Sequence, residues 1–205
     1  MKLNLCFLFL LLIIQTAFAQ SDCFTACADR AQTQWEQLKA RGVTSTDSAL
    51  LINKAILENL KGCPFPKTKL GNIYGEPLTI DDLKGNVVFV HFWFTSCATC
   101  IAEMPAIRQL QTLYAGQPVK FLAVSFNEEE KLLAFFKKYG KDGGIQTRLD
   151  QKTMESDFCI LDGYPLNLVL NKNGQVIDAW YEENPESDKQ NAFYEKTKDL
   201  IQKAL

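Results

Sequence analysis

The sequence predicts an α/β protein with a mixed central sheet flanked by helices and preceded by an N-terminal helical hairpin. From Val87 onward, short apolar runs rich in β-branched and aromatic residues alternate with segments of helical spacing. Near the C-terminus two such runs are joined by Asn171-Lys172-Asn173-Gly174, which is a strong signal for a β-hairpin. An antiparallel pair at the end of an otherwise alternating chain indicates a mixed sheet.

Residues 1–19 have the features of a secretory signal peptide. Lys2 precedes an apolar run from Leu5 to Ile14, and Ala17-Phe18-Ala19 gives the small-x-small pattern of a cleavage site. We expect cleavage before Gln20 and an exported, periplasmic protein that is soluble once the peptide is removed. A retained membrane anchor is the alternative, although the apolar run is short for a membrane span.

The composition favours one globular domain with appendages. The chain has 205 residues, of which 47% are hydrophobic and 22% charged. Without residues 1–19 it carries 21 basic and 24 acidic residues, and because no basic patch is visible, nucleic acid is not expected as a partner. Six cysteines remain, an even number that permits disulfides in an exported protein. They are Cys23, Cys27, Cys63, Cys97, Cys100 and Cys159.

Residues 20–62 predict a hairpin of two amphipathic helices. Apolar residues recur at three- and four-residue steps in Ser21–Arg41 and again in Thr44–Lys61. Each segment is followed by a glycine, Gly42 or Gly62, which is the residue that most often ends a helix. The second unit, residues 63–205, begins where the sequence turns to Pro, Gly and short apolar pieces.

The hairpin also predicts a structural disulfide. In an antiparallel hairpin the start of the first helix lies beside the end of the second, which brings Cys23 and Cys27 within reach of Cys63. We expect the Cys27–Cys63 pair. The alternatives are that these cysteines are buried thiols, or that Cys63 pairs with Cys159. The spacing is too wide, and histidine too scarce, for a zinc site.

The remaining elements of residues 63–205 follow from the alternation of apolar runs and helical segments. The predicted strands are Val87–Phe94, Val119–Phe126, Ile145–Leu149, Leu166–Leu170 and Gln175–Tyr181. The predicted helices are one that begins at Cys97, Glu128–Lys138, Thr153–Ile160 and Ser187–Leu205, with a short helical turn in Leu78–Lys84.

The motif Cys97-Ala98-Thr99-Cys100 carries the chemistry of the chain. It lies where a buried strand gives way to a helix, so its first thiol meets the unpaired backbone N–H groups of the helix N-terminus, which favour a thiolate. With two residues between them on one helical turn, one thiol can attack a disulfide and the other can resolve the mixed intermediate. We take Cys97, at the more exposed helix start, as the nucleophile and Cys100 as the resolving thiol.

Several motifs resemble the thioredoxin superfamily, and more narrowly the exported TlpA/ResA-like thiol-disulfide oxidoreductases. The resemblance rests on Phe92-Trp93, the Cys-x-x-Cys motif Cys97 to Cys100, Glu103, Pro105 and Gly163-Tyr164-Pro165. It implies a thioredoxin-like fold for nearly all of the chain after the hairpin. It leaves the hairpin itself unexplained.

The resemblance also implies roles for individual residues. Glu103 matches an acid that such proteins keep near the buried thiol, where a carboxylate can accept and return a proton; a solvated helix residue is the alternative. His91, the only histidine, is a candidate proton relay or a hydrogen-bonded core residue. Pro165 is expected to follow a cis peptide bond, and Trp93, Tyr164 and Pro165 to form the substrate-binding surface.

The predicted function is that of an exported disulfide oxidoreductase that acts more as a reductase. Its expected substrates are disulfide-containing or dithiol envelope proteins. We expect a membrane or periplasmic electron donor to keep it reduced, and we expect no cofactor or metal. Ala98-Thr99 and Ser96 depart from common family residues, so the redox potential cannot be carried over. A peroxiredoxin-like thiol peroxidase is the alternative enzyme, although its usual Thr-x-x-Cys spacing is missing. A Sco-like copper chaperone is the alternative from another class, although no histidine follows the motif.

Overall fold

The computed structural model describes residues 23–43, 54–55, 57–141, 143–160, 163–181 and 187–205. The helices are α1 (Cys23–Ala40), α2 (Ala98–Leu113), α3 (Glu129–Tyr139), α4 (Gln151–Phe158) and α5 (Ser187–Ala204), with a 3-10 turn at Ile80–Leu83. The strands are β1 (Gly71–Asn72), β2 (Val87–Trp93), β3 (Val119–Ser125), β4 (Ile145–Arg148), β5 (Leu166–Leu170) and β6 (Val176–Tyr181). The predicted signal peptide and most of the predicted second helix lie outside the described residues.

The sheet is mixed, as the sequence predicts, and has the strand order β1-β4-β3-β2-β5-β6. Strands β2, β3 and β4 are parallel to one another, whereas β5 is antiparallel to both β2 and β6. The β5–β6 turn is held by the Asn171 side chain, whose Oδ1 accepts from the backbone N–H groups of Asn173 and Gln175 at 2.9 and 3.0 Å. Gly174 supplies the positive φ that this turn needs.

The two faces of the sheet are covered by different helices. The crossovers from β2 to β3 and from β3 to β4 step in the same direction, so a right-handed path puts α2 and α3 on one face. Helix α5 packs against α2 on that face. Helices α1 and α4 pack together, and their buried rings lie with the β2 residues Val88, Val90 and Phe92 on the opposite face. Both faces of β2 are therefore buried, which explains why all of its residues except His91 are apolar.

Helix α1 is attached to the domain by a disulfide between Cys23 and Cys63, whose Cα atoms are 5.8 Å apart. The predicted Cys27–Cys63 pairing is wrong. The segment that contains Cys63 lies beside Cys23, the first residue of α1. Cys27 lies one helical turn further along α1 and is directed toward α4. There the Cys27 thiol is hydrogen bonded to that of Cys159. The Cys63–Cys159 alternative is wrong as well, because Cys63 is bonded to Cys23.

Packing of aromatic rings adds to the attachment of α1. The ring of Phe24 lies 6.1 Å from that of Phe65 and 6.3 Å from that of Phe158, both in edge-on contacts. All three side chains are buried. Among the described residues, no helix is both long enough and apolar enough to cross a membrane.

The disulfide leads to a stability prediction. Cys23 and Cys63 are 40 residues apart, and closing a loop of that size contributes about 4 kcal/mol to the free energy of unfolding in the chain-entropy model. We expect Cys23→Ser to lower the free energy of unfolding by about that amount in denaturant titrations. Cys63→Ser and the double variant should lose the same amount, because all three lack the same bond. A double variant that loses the sum of the two single losses would contradict this explanation.

Candidate active site

The two cysteines of the Cys-x-x-Cys motif lie at the junction of β2 and α2. Cys97 is the N-cap residue of α2, and its Sγ accepts a hydrogen bond from the backbone N–H of Cys100 at 3.1 Å. The two residues are joined by a disulfide, with their Cα atoms 5.2 Å apart. The Cys97 sulfur is therefore placed in the positive end of the helix dipole, where negative charge on it is stabilised.

The two sulfurs differ in their access to solvent. Cys97 is 6% exposed and Cys100 is completely buried. The neighbours of Cys97, Ser96 and Ala98, are both exposed. An approaching partner thus reaches Cys97 first, which is the geometry that the nucleophile of a dithiol pair requires.

Asn127 fixes the loop that leads to Cys97. Its Oδ1 accepts a hydrogen bond from the backbone N–H of Thr95 at 2.7 Å, while its own N–H donates to Ser125 Oγ at 3.2 Å. No sequence motif indicated Asn127 as a site residue. The available signal was its position just after β3, because parallel neighbouring strands such as β2 and β3 end at the same edge of a sheet.

A buried polar cluster lies behind the disulfide and consists of His91 on β2, Asn167 on β5 and Glu103 on α2. The Asn167 amide donates to Glu103 Oε1 and Oε2 at 3.0 and 3.2 Å. His91 Nδ1 lies 2.9 Å from Asn167 Oδ1 and 3.3 Å from Glu103 Oε2. Since both of these atoms are acceptors, the contacts place a proton on Nδ1.

The strand register creates this cluster. His91 and Asn167 are directly opposite each other in the antiparallel β2–β5 pair, so their side chains leave the sheet on the same face. Glu103 meets them from α2, one helical turn after Cys100, and only 3% of it is exposed. The alternative interpretation of Glu103 as a solvated residue is therefore wrong. Asn167 was missed, although a polar residue between Leu166 and Leu168 in a buried strand was a usable signal.

His91 also lines a small cavity. Nε2 is buried and has no hydrogen-bond partner among the described residues. The cavity, with a volume of about 10 Å³, is also lined by Trp93, Met104 and Gln146. A space of this size holds at most one water molecule, which would complete the hydrogen bonding of the imidazole.

Beside the disulfide, three half-buried aromatic residues form a surface that we call the aromatic platform: Phe94, Phe126 and Tyr164. The ring of Tyr164 lies 5.2 Å from that of Phe94 and 5.6 Å from that of Phe126. Tyr164 also packs against the apolar cluster that contains both active-site cysteines. Burial raises the pKa of Tyr164 to about 12, so the phenol stays neutral at physiological pH. The Tyr164–Pro165 peptide bond is cis, and Pro165 is buried.

The structure corrects the expected place of Trp93 in the substrate-binding surface. Only 1% of Trp93 is exposed, and its ring packs against those of Phe135 and Phe136 at 5.0 and 5.9 Å. Successive residues at the end of a strand point to opposite faces, so Trp93 is directed into the core beneath α3 and Phe94 joins the platform.

Comparisons with known proteins show the family to which the chain belongs. A profile of the redoxin family matches residues 60–195, and the chain belongs to that family. It is 32% identical over 122 residues to the thioredoxin-like protein YneN of Bacillus subtilis, covering 58% of this chain and 69% of the relative. It is 29% identical over 114 residues to the thiol-disulfide oxidoreductase ResA of Halalkalibacterium halodurans, covering 53% of this chain but only 61% of that relative.

Solved structures show the same fold. The thioredoxin domain of a thiol-disulfide oxidoreductase from Bacteroides vulgatus matches with a TM-score of 0.58 at 19% identity, covering 69% of this chain and 97% of that one. A thiol:disulfide interchange protein of the thioredoxin family from Chlorobium tepidum matches with a TM-score of 0.54 at 22% identity, covering 69% and 94% of the two chains. Together with the redoxin profile and the curated relatives, this shared fold confirms the resemblance to thioredoxin-like oxidoreductases that the motifs predicted.

Proposed function

We propose that this chain is an exported thiol-disulfide oxidoreductase that exchanges disulfides with envelope proteins through Cys97 and Cys100. In this proposal residues 1–19 are removed on export, and residues 20–62 precede a catalytic domain formed by residues 63–205. The observation that carries the proposal is the disulfide at the N-terminus of α2, with one sulfur reachable and the other buried. The names of the relatives support the same chemistry.

In the reducing direction, the Cys97 thiolate attacks one sulfur of a substrate disulfide and expels the other as a thiolate. The backbone N–H of Cys100 stabilises the charge on Cys97 before the attack. Cys100, deprotonated in turn, then attacks the Cys97 sulfur and releases the second substrate thiolate. The product state is the Cys97–Cys100 disulfide.

Cys100 must lose its proton inside the protein, and Glu103 is the group placed to accept it. The carboxyl group lies on the next turn of α2, buried and held by Asn167. His91, in contact with the same carboxyl group, would relay the proton or share its charge. These contacts hold the buried acid in place, and its position three residues after Cys100 puts it on the same face of α2 as that cysteine.

The aromatic platform and the neighbouring backbone of Tyr164 would dock the substrate. An extended segment that carries a disulfide can lay apolar side chains on Phe94, Phe126 and Tyr164 while its backbone pairs with the loop at Pro165. We expect such a partner in the cell envelope. A membrane or periplasmic donor would then return Cys97 and Cys100 to the thiol form, which makes the protein a reductase in operation.

The two alternative functions are weaker. A copper chaperone would use its histidine as a soft ligand, whereas His91 is buried and already engaged with Asn167 and Glu103. A peroxidase needs no resolving cysteine one turn away, yet here the second sulfur is bonded to the first.

The proposal assigns different steps to the two cysteines. Cys100→Ser should therefore accumulate a mixed disulfide between Cys97 and a substrate, because the resolving thiol is missing. The model substrate is a preparation of insulin peptides that have been reduced and then re-oxidised, so that they carry disulfides. We expect mass spectrometry to detect a stable adduct between Cys97 of the variant and one of these peptides. Cys97→Ser is the matched control and should form no adduct. If Cys97→Ser formed as much adduct through Cys100 as Cys100→Ser forms through Cys97, the assignment would be reversed.

A second prediction concerns proton transfer. Glu103→Gln keeps the shape and the amide contact but removes the acid, so we expect resolution of the mixed disulfide to slow by about 100-fold. Attack by Cys97 should change little. Rapid-quench experiments that follow formation and decay of the adduct separate the two steps. The exposed Glu128→Gln is the control, and a decay rate of Glu103→Gln within about threefold of wild type would contradict the role.

A further inference from the structure

We propose that Cys27 and Cys159 form a second redox-active dithiol, separate from Cys97 and Cys100, which closes to a disulfide that joins α1 to the end of α4. Both cysteines lie on the side of the sheet opposite to α2. The proposal therefore does not depend on the activity proposed for Cys97. It assigns a redox role to two cysteines that the active site does not use.

Cys27 and Cys159 lie close together in the fold. Cys27 is on α1 and Cys159 at the end of α4, two helices that pack against each other, and the two side chains share a hydrogen bond. Cys27 is 1% exposed and Cys159 is completely buried, within the same apolar cluster. A bond between sulfurs that are neighbours in the folded chain needs little movement of the backbone.

The elements that carry the two cysteines are packed against each other. Phe24 lies one turn before Cys27 on α1, and Phe158 directly precedes Cys159; the two rings are in edge-on contact at 6.3 Å. Cys159 ends α4 in the left-handed conformation, with a φ of 55°, which is uncommon for a residue other than glycine. The packing of α1 on α4 thus keeps the two cysteines together.

The pKa values of the two thiols are shifted in opposite directions. The hydrogen bond with Cys159 lowers the pKa of Cys27, against the opposing effect of burial, and the positive charge of Arg30 acts in the same direction. The same hydrogen bond, together with burial, raises the pKa of Cys159. Cys27 is therefore the attacking thiol and Cys159 the resolving one.

The reaction that we propose uses a disulfide as oxidant, such as oxidised glutathione. The Cys27 thiolate attacks one sulfur of the oxidant, forms a mixed disulfide and expels one thiolate. Cys159 then loses its proton and attacks the Cys27 sulfur, which releases the second thiolate. Two electrons pass from the protein to the oxidant, which becomes two thiols, and the protein gains the Cys27–Cys159 bond. Limited access of the oxidant to this buried pair slows the exchange but does not change its equilibrium.

The test uses the otherwise complete chain with Cys97→Ser and Cys100→Ser, which leaves Cys23–Cys63 and the two thiols in question. The protein is equilibrated in glutathione buffers from reducing to oxidising, then unfolded, alkylated and digested. We expect Cys27 and Cys159 to lose alkylation together in one transition, with a linked peptide containing both. The same linked peptide is expected in the fully oxidised wild-type chain, which covers the case that the double variant does not fold.

Three results would overturn the proposal. The two thiols could remain alkylated at every buffer ratio, each could carry its own glutathione, or Cys27 could link to Cys63. The matched control adds Cys159→Ser to the same background. In that control Cys27 should accumulate a glutathione adduct under oxidising conditions, because the resolving thiol is gone. If Cys27 formed a disulfide with another cysteine in this control as often as in the variant that retains Cys159, that result would likewise contradict the pairing.

Discussion

The burial of the Glu103 carboxyl group is the constraint on which the arrangement around the active site depends. A carboxyl group that is removed from water needs hydrogen-bond donors, and Asn167 and His91 supply them from two neighbouring strands. A slip of one residue in the β2–β5 register would place Leu166 or Leu168 opposite His91 and leave the carboxyl group without its amide donor. The polar cluster and the sheet register therefore determine each other.

The same cluster connects the sheet to the chemistry of the cysteines. Helix α2 presents Cys97 at its first turn and Glu103 on the turn after Cys100, so the helix that stabilises the thiolate also carries the proposed proton acceptor. Asn127 holds the loop before Cys97 from the end of β3. Three elements, β2, β3 and α2, thus position one reactive sulfur. The second cysteine pair, Cys27 and Cys159, lies on the other face of the sheet, where both residues are buried in one apolar cluster.

Much of the fold could be predicted because the signals are local. The alternation of apolar runs and the Asn171–Gly174 turn determine the strands that follow Val87, and their observed ends differ from the predictions by a residue or so. Helix α4 begins two residues earlier than predicted, since Asp150 caps it by accepting from the Thr153 N–H at 3.0 Å. Strand β1, Gly71–Asn72, was missed because two residues carry no periodicity and its pairing with β4 is a long-range contact.

The site was predictable in its chemistry but not in its contacts. The spacing of Cys97, Cys100 and Glu103 is local, whereas the partners Asn167 and Asn127 come from distant strands. The disulfide was assigned to Cys27 because helical spacing alone cannot distinguish it from Cys23; the choice depends on where the chain returns at Cys63. Trp93 was the expected surface residue, but Phe94 lies there instead, because successive residues at the end of β2 point to opposite faces and Trp93 is directed into the core.

The central claim is that Cys97 and Cys100 are a reversible dithiol, and a redox titration of the chain from Gln20 onward tests it most directly. The protein is equilibrated in glutathione buffers of graded ratio, alkylated, and mapped at Cys97 and Cys100. We expect both cysteines to pass together from two alkylated thiols to one disulfide in a single two-electron transition. A pair that remains closed to exchange across the whole range of ratios would show that the bond is only structural and would contradict the account.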